Sequence, residues 1–528
     1  MNRMKIGSNL RTTCCWLPGV VLLFSLLQGC GKADSLPAAA AAENQPDKAV
    51  AASESQSPNS DNSNKSVANS VREGEDWPMF LGPHGTGVSG ETDLLDKWPA
   101  GGPPLLWEKN VGAGYSAPSV RGVRLVFHHR VEDEEVVECM DVATGKQLWQ
   151  YKYPSQYSDP YGYNNGPRCT PLLTESRCYT YGAEGVISCL DLKSGEEIWT
   201  RDIKKNFNVF KKDQPDVPNW FFGVGSTPIL EGNLLITLVG GQPNSAVVAF
   251  NADTGKTVWQ SVGKDTWDGV ATGDSLQPNY KWTGEEMLVG YASPYAVTIH
   301  GKRHVLCLLR QGLVSIDPKD GSVNFKYWFM SRINDSVNAA RPLVIKDKIF
   351  ISAAYKSGSA LLQVNENGKG YQEVWRDRRN MLTHWSTAIH VDGYIYGFSG
   401  RHEQEAMLNC IDLKTGKVQW GSTGYEGELS DLAQDPATGQ IIDRKTKKPV
   451  AWPFYGRGSK IQIGDKFIIL GERGTLALVK IDRQKFVELA RTSFKQIHFP
   501  VWTAPVLSRK RLFLRCEDAL ICLDLKKP

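Results

Sequence analysis

The chain has 528 residues, of which 61 are Lys or Arg and 57 are Asp or Glu, for a formal net charge of +4. No stripe of basic residues marks a nucleic-acid surface, so a nucleic-acid partner is not expected. Beyond the N-terminal region, no apolar run is long enough to cross a membrane as a helix.

The N-terminus has the pattern of a secretory signal. Arg3, Lys5 and Arg11 precede an apolar run over residues 16–27, and Leu27-Gln-Gly-Cys30 follows. This order is typical of a cleaved signal rather than of a membrane span. The ending resembles a bacterial lipobox, which implies a signal peptide over residues 1–29 and acylation of Cys30. An ordinary signal or an uncleaved anchor is the alternative.

Residues 30–75 are rich in Ala, Ser, Asn, Pro and Gln and contain almost no aromatic residues. Such a composition does not bury a core, so it predicts a disordered tether with a mean reach of about 35 Å. Gly31 follows the cysteine, and the sorting rule of lipoproteins then implies the outer membrane, with the protein facing the periplasm. Residues 76–528 are predicted to form one folded domain.

A short phrase recurs along this domain: Asp, a turn with Thr or Ser before Gly, and Trp four residues after the Gly. The clean copies contain Asp141, Gly145 and Trp149, then Asp191, Gly195 and Trp199, then Asp412, Gly416 and Trp420. One copy has Asn251 with Gly255 and Trp259, and degraded copies occur at Asp317, Asn365, Asp482 and Asp524. Such periodicity indicates a repeat architecture.

Each repeat is predicted to be four short antiparallel strands. Between Cys169 and Trp199, runs of β-branched, aromatic and apolar residues alternate with turn formers. The Asp should accept hydrogen bonds from turn amides and the Gly should supply a positive φ, while the Trp lies flat against the next unit. A single four-stranded sheet cannot bury both faces, but a ring of sheets can. An all-β propeller is therefore predicted.

The repeat anchors number eight, at positions 141, 191, 251, 317, 365, 412, 482 and 524. The last unit ends at Pro528 before its outer strand, and an unpartnered strand occurs near Trp107. Pairing these segments would remove the exposed sheet edges. We therefore expect an eight-bladed β-propeller with four-stranded blades, closed by the N- and C-terminal strands.

Cysteine recurs two residues before the repeat Asp, where other blades have Ala249 or Ser315. The slot requires a small buried side chain, so these cysteines are expected to be compact hydrophobes. Cys178 and Cys189 are expected to face each other across one hairpin, with their oxidation state left open. No Cys-x-x-Cys or His-x-x-x-His spacing indicates a metal site. The cysteines of the slot are Cys139, Cys189, Cys410 and Cys522.

The connections between consecutive blades are long, and their topology places them on one face around the mouth of the central channel. Long loops rich in aromatic residues and Arg commonly carry binding, and guanidinium groups suit anionic or carbonyl partners. Alternatively, the rings only pack the loops down. His384 is the candidate acid or base. The candidate mouth residues are Tyr163, Arg168, Trp220, Phe222, Tyr291, Arg341, His384, Trp385, Arg457 and Trp502.

The Asp-x-x-Thr-Gly-Lys-x-x-Trp phrase resembles the tryptophan-docking repeat of pyrroloquinoline quinone (PQQ) enzymes and of PQQ-like propellers, a family that includes the outer-membrane assembly lipoprotein BamB. The phrase over residues 77–89, and others over 165–171 and 373–378, resemble a planctomycete-type group of these propellers. The resemblance implies the fold, but fold alone does not establish a function.

In quinone-dependent members, the resemblance implies a disulfide between adjacent cysteines and a calcium ion held by acidic side chains. The adjacent pair Cys14 and Cys15 lies in the signal segment, and the inner-strand starts show no acidic cluster. No cofactor is therefore expected, with PQQ and calcium as the alternative.

The leading hypothesis is a non-catalytic, monomeric, lipid-anchored scaffold that binds an envelope protein, peptide or glycan, with a BamB-like role possible by analogy. The alternative is a PQQ-dependent oxidoreductase or a polysaccharide-processing enzyme with its site at the channel mouth.

Overall fold

The computed structural model describes residues 72–528, apart from 212–213, 219, 274–278, 287–288, 332, 334–335, 426, 439 and 451. The predicted signal peptide, Cys30 and nearly all of the predicted tether lie outside the described residues. Contacts with the propeller begin by Arg72, which pairs with Asp524 at 2.8 Å, before the domain start expected at residue 76. None of the described helices is long and apolar enough to span a membrane.

The described chain forms eight sheets of four antiparallel strands, arranged as an eight-bladed propeller. We number the blades 1 to 8 and give their strands from the innermost outward. Blades 1 and 2 comprise Ser119–Arg121, Arg124–Val131, Glu134–Asp141 and Gln147–Pro154, then Leu172–Leu173, Arg177–Tyr181, Val186–Asp191 and Glu197–Asp202. Blades 3 and 4 comprise Ile229–Glu231, Leu234–Gly241, Ser245–Asn251 and Thr257–Ser261, then Tyr295–Ile299, Lys302–Leu308, Gly312–Ile316 and Val323–Trp328.

Blades 5 and 6 comprise Leu343–Ile345, Lys348–Ala353, Gly358–Val364 and Tyr371–Asp377, then Ile389–Val391, Tyr394–Ser399, Met407–Asp412 and Val418–Ser422. Blades 7 and 8 comprise Ser459–Ile463, Lys466–Leu470, Thr475–Lys480 and Val487–Ser493, then Val506–Ser508, Arg511–Arg515, Ala519–Asp524 and Leu105–Asn110. Smaller elements are the strand Val88–Ser89, the hairpins Phe210–Lys211 with Gln214–Pro218 and Leu432–Gln434 with Ile441–Asp443, the α-helix Ile203–Asn206, and the 3-10 turns Glu403–Glu405 and Leu429–Asp431.

The repeat phrase forms the turn between the third and fourth strands of a blade. The Asp191 carboxylate accepts hydrogen bonds from the amides of Lys193 and Ser194 at 2.9 and 2.8 Å, and these bonds lower its pKa. Gly195 has a φ of +78°, which a residue with a Cβ adopts only at a cost. The expected turn chemistry is therefore present.

The repeat tryptophan of one blade docks on the turn of the next blade. The Trp149 indole donates to the carbonyl of Leu192 at 3.1 Å, and a Cβ on Gly195 would lie only 2.6 Å from its ring. The Gly therefore supplies both a backbone conformation and the space for an indole. Six described tryptophans make this contact: Trp107, Trp149, Trp199, Trp259, Trp375 and Trp420.

The two ends of the chain close the ring, as predicted. Leu105–Asn110 pairs antiparallel with Ala519–Asp524, with Trp107 opposite Cys522. The Trp107 indole then donates to the carbonyl of Val142 in blade 1 at 3.2 Å. Blade 8 is therefore completed by the N-terminal strand and docks on blade 1 like any other pair of neighbours.

The expected juxtaposition of Cys178 and Cys189 is wrong. Cys178 pairs with Leu190, and Tyr179 pairs with Cys189, because an odd number of residues, the five of 182–186, lies between the paired residues Tyr181 and Ile187 instead of the two-residue turn assumed. A shift of one residue places side chains on opposite faces of a sheet. All eight described cysteines are free and buried.

Residues 77–89, which we call the plug, cross the inside of the ring. Trp77 pairs with Val120 of blade 1, and the amide of Leu173 in blade 2 donates to Pro78 at 2.8 Å. At its other end, Val88 and Ser89 run parallel to the innermost strand of blade 7. The plug thus forms backbone hydrogen bonds with inner strands around the ring, and it turns the channel into a cavity with a floor.

Candidate functional site

A cavity of about 250 Å³ opens at the mouth of the channel. The floor of the cavity contains Phe80 and Leu81 of the plug. The starts of the inner strands line the cavity, and the plug pairs with these strands further along their length. Aromatic rings from the long connections form the upper wall, and small or hydroxyl-bearing residues at the starts of the inner strands form the lower wall. The lower wall includes Ala117, Thr170, Ser293, Thr387, Ser459 and Thr503.

The structure brings together most of the residues predicted for the mouth. The rings of Trp385 and Trp502 lie 5.4 Å apart, and Tyr163 packs on Trp502 at 5.5 Å. Tyr163 is 55% exposed, so this side of the cavity is open to solvent. The predicted residues that line the cavity are Tyr163, Arg168, Phe222, Tyr291, His384, Trp385, Arg457 and Trp502.

Trp220 does not line the cavity. It is 3% exposed and packs in the core of blades 2 and 3 with Ile203 and Val224. Gly185, in a turn of blade 2, leaves room for the indole, since a Cβ there would lie 3.1 Å from the ring. The prediction of a mouth position was wrong because the sequence does not show which loop aromatics fold back on their own blade.

Arg341 is also absent from the cavity wall. Its guanidinium donates to the carbonyls of Pro294 and Gly85, each at 3.0 Å, and lies 4.8 Å from the centre of the Tyr295 ring. Burial lowers the pKa of Arg341 to about 10. The side chain therefore holds the plug against blades 4 and 5, and its predicted position at the mouth was wrong because the position of the plug was unknown.

Arg168 and Arg457 line the cavity, but each is paired within the chain. Arg168 binds Asp159 at 2.7 Å, and the Nε atom of Arg457 binds Glu472 at 3.0 Å. Glu472 also accepts a hydrogen bond from the Trp502 indole at 2.6 Å. These ion pairs position the aromatic wall. They also leave the two arginines with little unbalanced charge for an anionic ligand.

Lys460 lines the cavity and was not among the residues predicted for the mouth. It is 3% exposed, and its ammonium donates to the carbonyl of Thr387 at 3.1 Å and lies 5.9 Å from the Phe398 ring. No ion pair to Lys460 occurs among the described residues. Burial lowers its pKa to about 7. The sequence does distinguish this residue, because Lys460 occupies a strand-start position where six other blades have Pro.

The adjacent wall carries further polar groups that lack hydrogen bonds. Within the described chain, the Nδ1 atom of His384 and the indole nitrogen of Trp385 are buried without a partner. Burial and the nearby Arg457 lower the pKa of His384 to about 3. The imidazole therefore stays neutral near pH 7, which does not suit it as a general acid. Two donors in the described lining therefore lack a carboxylate partner: the ammonium of Lys460 and the indole nitrogen of Trp385.

Comparisons with known proteins place the chain in a family. The family model described as outer membrane protein assembly factor BamB matches residues 133–422, which is more than half of the chain. The chain belongs to this PQQ-like propeller family. A search of curated proteins gives no match.

Two solved structures illustrate the likeness, of which the first, with a TM-score above 0.5, shares the fold. A quinohemoprotein alcohol dehydrogenase from Comamonas testosteroni has a TM-score of 0.56 at 13% identity, covering 87% of this chain and 82% of that one. BamB from Moraxella catarrhalis has a TM-score of 0.49 at 11% identity, covering 79% of this chain and 99% of that one. At these identities the likeness concerns the fold alone.

The cavity of this PQQ-like propeller does not fit a quinone with calcium. Calcium takes six to eight oxygen ligands, usually with several carboxylates. Asp159 is the only carboxylate residue in the described lining, and Arg168 pairs with it. Cys14 and Cys15, the one adjacent pair, lie outside the described residues. The donors without a carboxylate partner, the Lys460 ammonium and the Trp385 indole, could instead donate to an anionic acceptor.

Proposed function

We propose that the chain is a non-catalytic binding module of the cell envelope whose mouth cavity takes a short, negatively charged segment of a protein or peptide. The observation that carries this proposal is Lys460, a buried ammonium in the cavity wall with only one carbonyl as its described hydrogen-bond acceptor. Burial of an unpaired charge is costly. A carboxylate placed in the cavity would pair with it and reduce that cost.

The size and the walls of the cavity suit part of a larger partner. Its volume, about 250 Å³, is below the roughly 300–1,000 Å³ of sites that enclose a drug-sized ligand. Trp385, Trp502 and Tyr163 offer large rings with polar edges, which bind apolar and polar parts of a chain together. A terminal or side-chain carboxylate with its neighbouring residue would fill such a space.

The proposed location rests on the sequence and the family. The lipobox-like signal supports an acylated Cys30 in the outer membrane facing the periplasm, and the composition of residues 30–75 supports the predicted tether. The family description, outer membrane protein assembly factor, supports a protein partner rather than a glycan and a BamB-like scaffold, which we propose to be monomeric. The phrase over residues 77–89 supports the planctomycete-type group within the family.

Calorimetric titration with short N-acetylated peptides tests the proposal. A peptide with a free C-terminal carboxylate should bind more tightly than its amidated form. Lys460→Met should weaken binding of the free form by about tenfold or more, as expected for a hydrogen bond to a charged group. The matched variant Lys466→Met, at the opposite end of blade 7, should bind like the native chain.

Two outcomes would contradict the proposal: equal affinity for the free and amidated peptides, or equal affinity of the native chain and Lys460→Met. If glucuronate oligosaccharides bind in a Lys460-dependent way and the peptides do not, the partner is a glycan and the proposed peptide specificity is wrong.

A further inference from the structure

A cluster of three potential metal ligands lies on the rim of the mouth, outside the cavity. His498 belongs to the connection between blades 7 and 8, and Cys516 and Asp518 belong to the turn between the second and third strands of blade 8. Their ligand atoms all lie within 4.8 Å of one another. None of the three residues lines the cavity, so the cluster is independent of the proposed peptide site.

Two separations in the cluster are slightly shorter than those around a tetrahedral ion. The Nε2 atom of His498 is 3.0 Å from the carboxylate of Asp518, and the sulfur of Cys516 is 3.2 Å from the same carboxylate. Bonds of 2.0–2.3 Å to zinc place neighbouring ligands about 3.3–3.8 Å apart. Small side-chain rotations are therefore enough to admit the ion.

The ring of His498 is oriented with its Nε2 atom toward the cluster. Nε2 lies 3.0 Å from a carboxylate oxygen of Asp518, and Nδ1 lies 3.2 Å from the carbonyl of Phe499. In the tautomer with its proton on Nδ1, this nitrogen donates to Phe499 and the lone pair of Nε2 is directed at the cluster. A metal-bound His usually donates its other ring N–H in this way.

Cys516 supplies the buried ligand of the cluster. Its thiol donates to the carbonyl of Gln496 at 3.3 Å and to the carboxylate of Asp518 at 3.2 Å, so an ion bound by the thiolate would replace these two hydrogen bonds. Cys516 is 1% exposed, whereas the side chains of His498 and Asp518 are 54% and 64% exposed. The sulfur thus faces the protein, and the side of the cluster formed by the other two residues faces solvent.

We propose that Cys516, His498 and Asp518 form a zinc site that ties the connection between blades 7 and 8 to blade 8. One sulfur, one nitrogen and one oxygen ligand favour Zn²⁺ over Ca²⁺ or Mg²⁺, which prefer oxygen alone. The fourth position is open to solvent. The Phe499 ring, next to His498, packs on Trp502 at 6.4 Å, so the ion would also steady one wall of the cavity.

Zinc titration of the purified, untagged and chelator-stripped protein, in competition with a chromophoric chelator, tests the site. We expect one zinc ion per chain. Cys516→Ser and His498→Ala should each weaken binding by more than about 100-fold, since loss of outer partners alone costs roughly 10–100-fold. The surface variant Asp518→Asn should weaken it too. His84→Ala, which removes an exposed histidine of the plug, should bind zinc like the native chain.

Cobalt gives a readout that reports the thiolate directly. Co²⁺ bound at the site should show a sulfur-to-metal charge-transfer band that Cys516→Ser lacks and His84→Ala retains. Native-like circular dichroism spectra will establish that each variant is folded. Substoichiometric zinc uptake by the native chain, or zinc affinity and cobalt spectra unchanged in folded Cys516→Ser, would show that His498 and Asp518 form an ion pair only and would overturn the proposal.

Discussion

At the scale of single residues, Lys460 departs most from the repeat pattern. The strand-start position that it occupies in blade 7 is Pro in most other blades, where a missing N–H is tolerated because it falls outside the strand ladder. The repeat pattern does not account for a long cationic side chain at this position, so we infer a local requirement for it. The equivalent prolines are Pro118, Pro171, Pro228, Pro294, Pro342 and Pro505.

The pH dependence of stability tests the buried state of Lys460. Its pKa is lowered from 10.5 to about 7 in the folded chain, so between these values the unfolded chain binds more protons and stability rises with pH. Lys460→Met should lose this contribution, which amounts to at most about 1.4 kcal/mol per pH unit. Thermal unfolding midpoints at pH 7, 8 and 9 will measure it. Parallel pH profiles for the native chain and Lys460→Met would contradict the prediction.

The sequence predicted which loops surround the mouth, but it did not predict which side chains of those loops are free. Many of the aromatic residues that line the cavity come from connections identified by their length and composition. Arg341 and Trp220 were misplaced because their partners, Gly85 in the plug and Gly185 in blade 2, are distant in sequence. Contacts of this kind depend on packing and not on local pattern.

At the scale of the element, the turn formed by the repeat phrase binds the indole of the preceding blade. The fold was predictable because every part of the phrase has a local cause: the Asp binds turn amides, the Gly adopts a positive φ, and the Trp covers the Gly. The plug was not predictable in the same way. Its phrase was recognisable over residues 77–89, but its path is set by hydrogen bonds to inner strands around the ring.

Two glycine substitutions distinguish the energetic cost of crowding the indole from the cost of the backbone conformation. Gly195→Ala places a Cβ 2.6 Å from the Trp149 ring, whereas Gly232→Ala, also at a positive φ of +58°, meets nothing within 4 Å. Gly232→Ala should cost about 1–2 kcal/mol for the backbone alone. Gly195→Ala should cost a further 1–3 kcal/mol or so from overpacking. Urea unfolding midpoints will measure both, and equal losses would show that the indole yields without cost.

At the scale of the molecule, the predicted anchor determines where the propeller acts. Cys30 lies outside the described residues, so this prediction rests on the sequence. Cys30→Ser should abolish acylation and move the protein from the membrane fraction to the soluble envelope fraction, because a lipid anchor supplies the membrane affinity. Fractionation with labelled palmitate incorporation will check it. Unlabelled native protein, or a variant that stays in the membrane, would contradict the lipobox interpretation.

Closure of the ring distinguishes this molecule from an open stack of sheets. Without Leu105–Asn110, the strand Ala519–Asp524 would be an exposed edge, and such an edge pairs with other chains. A variant that begins at residue 111 lacks both the plug and the closing strand, whereas one that begins at residue 91 lacks only the plug. The shorter variant should therefore self-associate, and the longer one should remain monomeric with a lower unfolding temperature than the native chain.

Light scattering coupled to size exclusion will measure the molar mass of the two truncated variants. The comparison is informative because both lose the hydrogen bonds of the plug, including the pairing of Trp77 with Val120. A difference between them therefore reports residues 91–110, which comprise the closing strand and the contacts of Leu94 and Leu95 with the C-terminal residues. The prediction fails if the variant that begins at residue 111 is monomeric and unfolds at the same temperature as the variant that begins at residue 91. Closure would then contribute little, and contacts between the other blades would be sufficient to hold the ring.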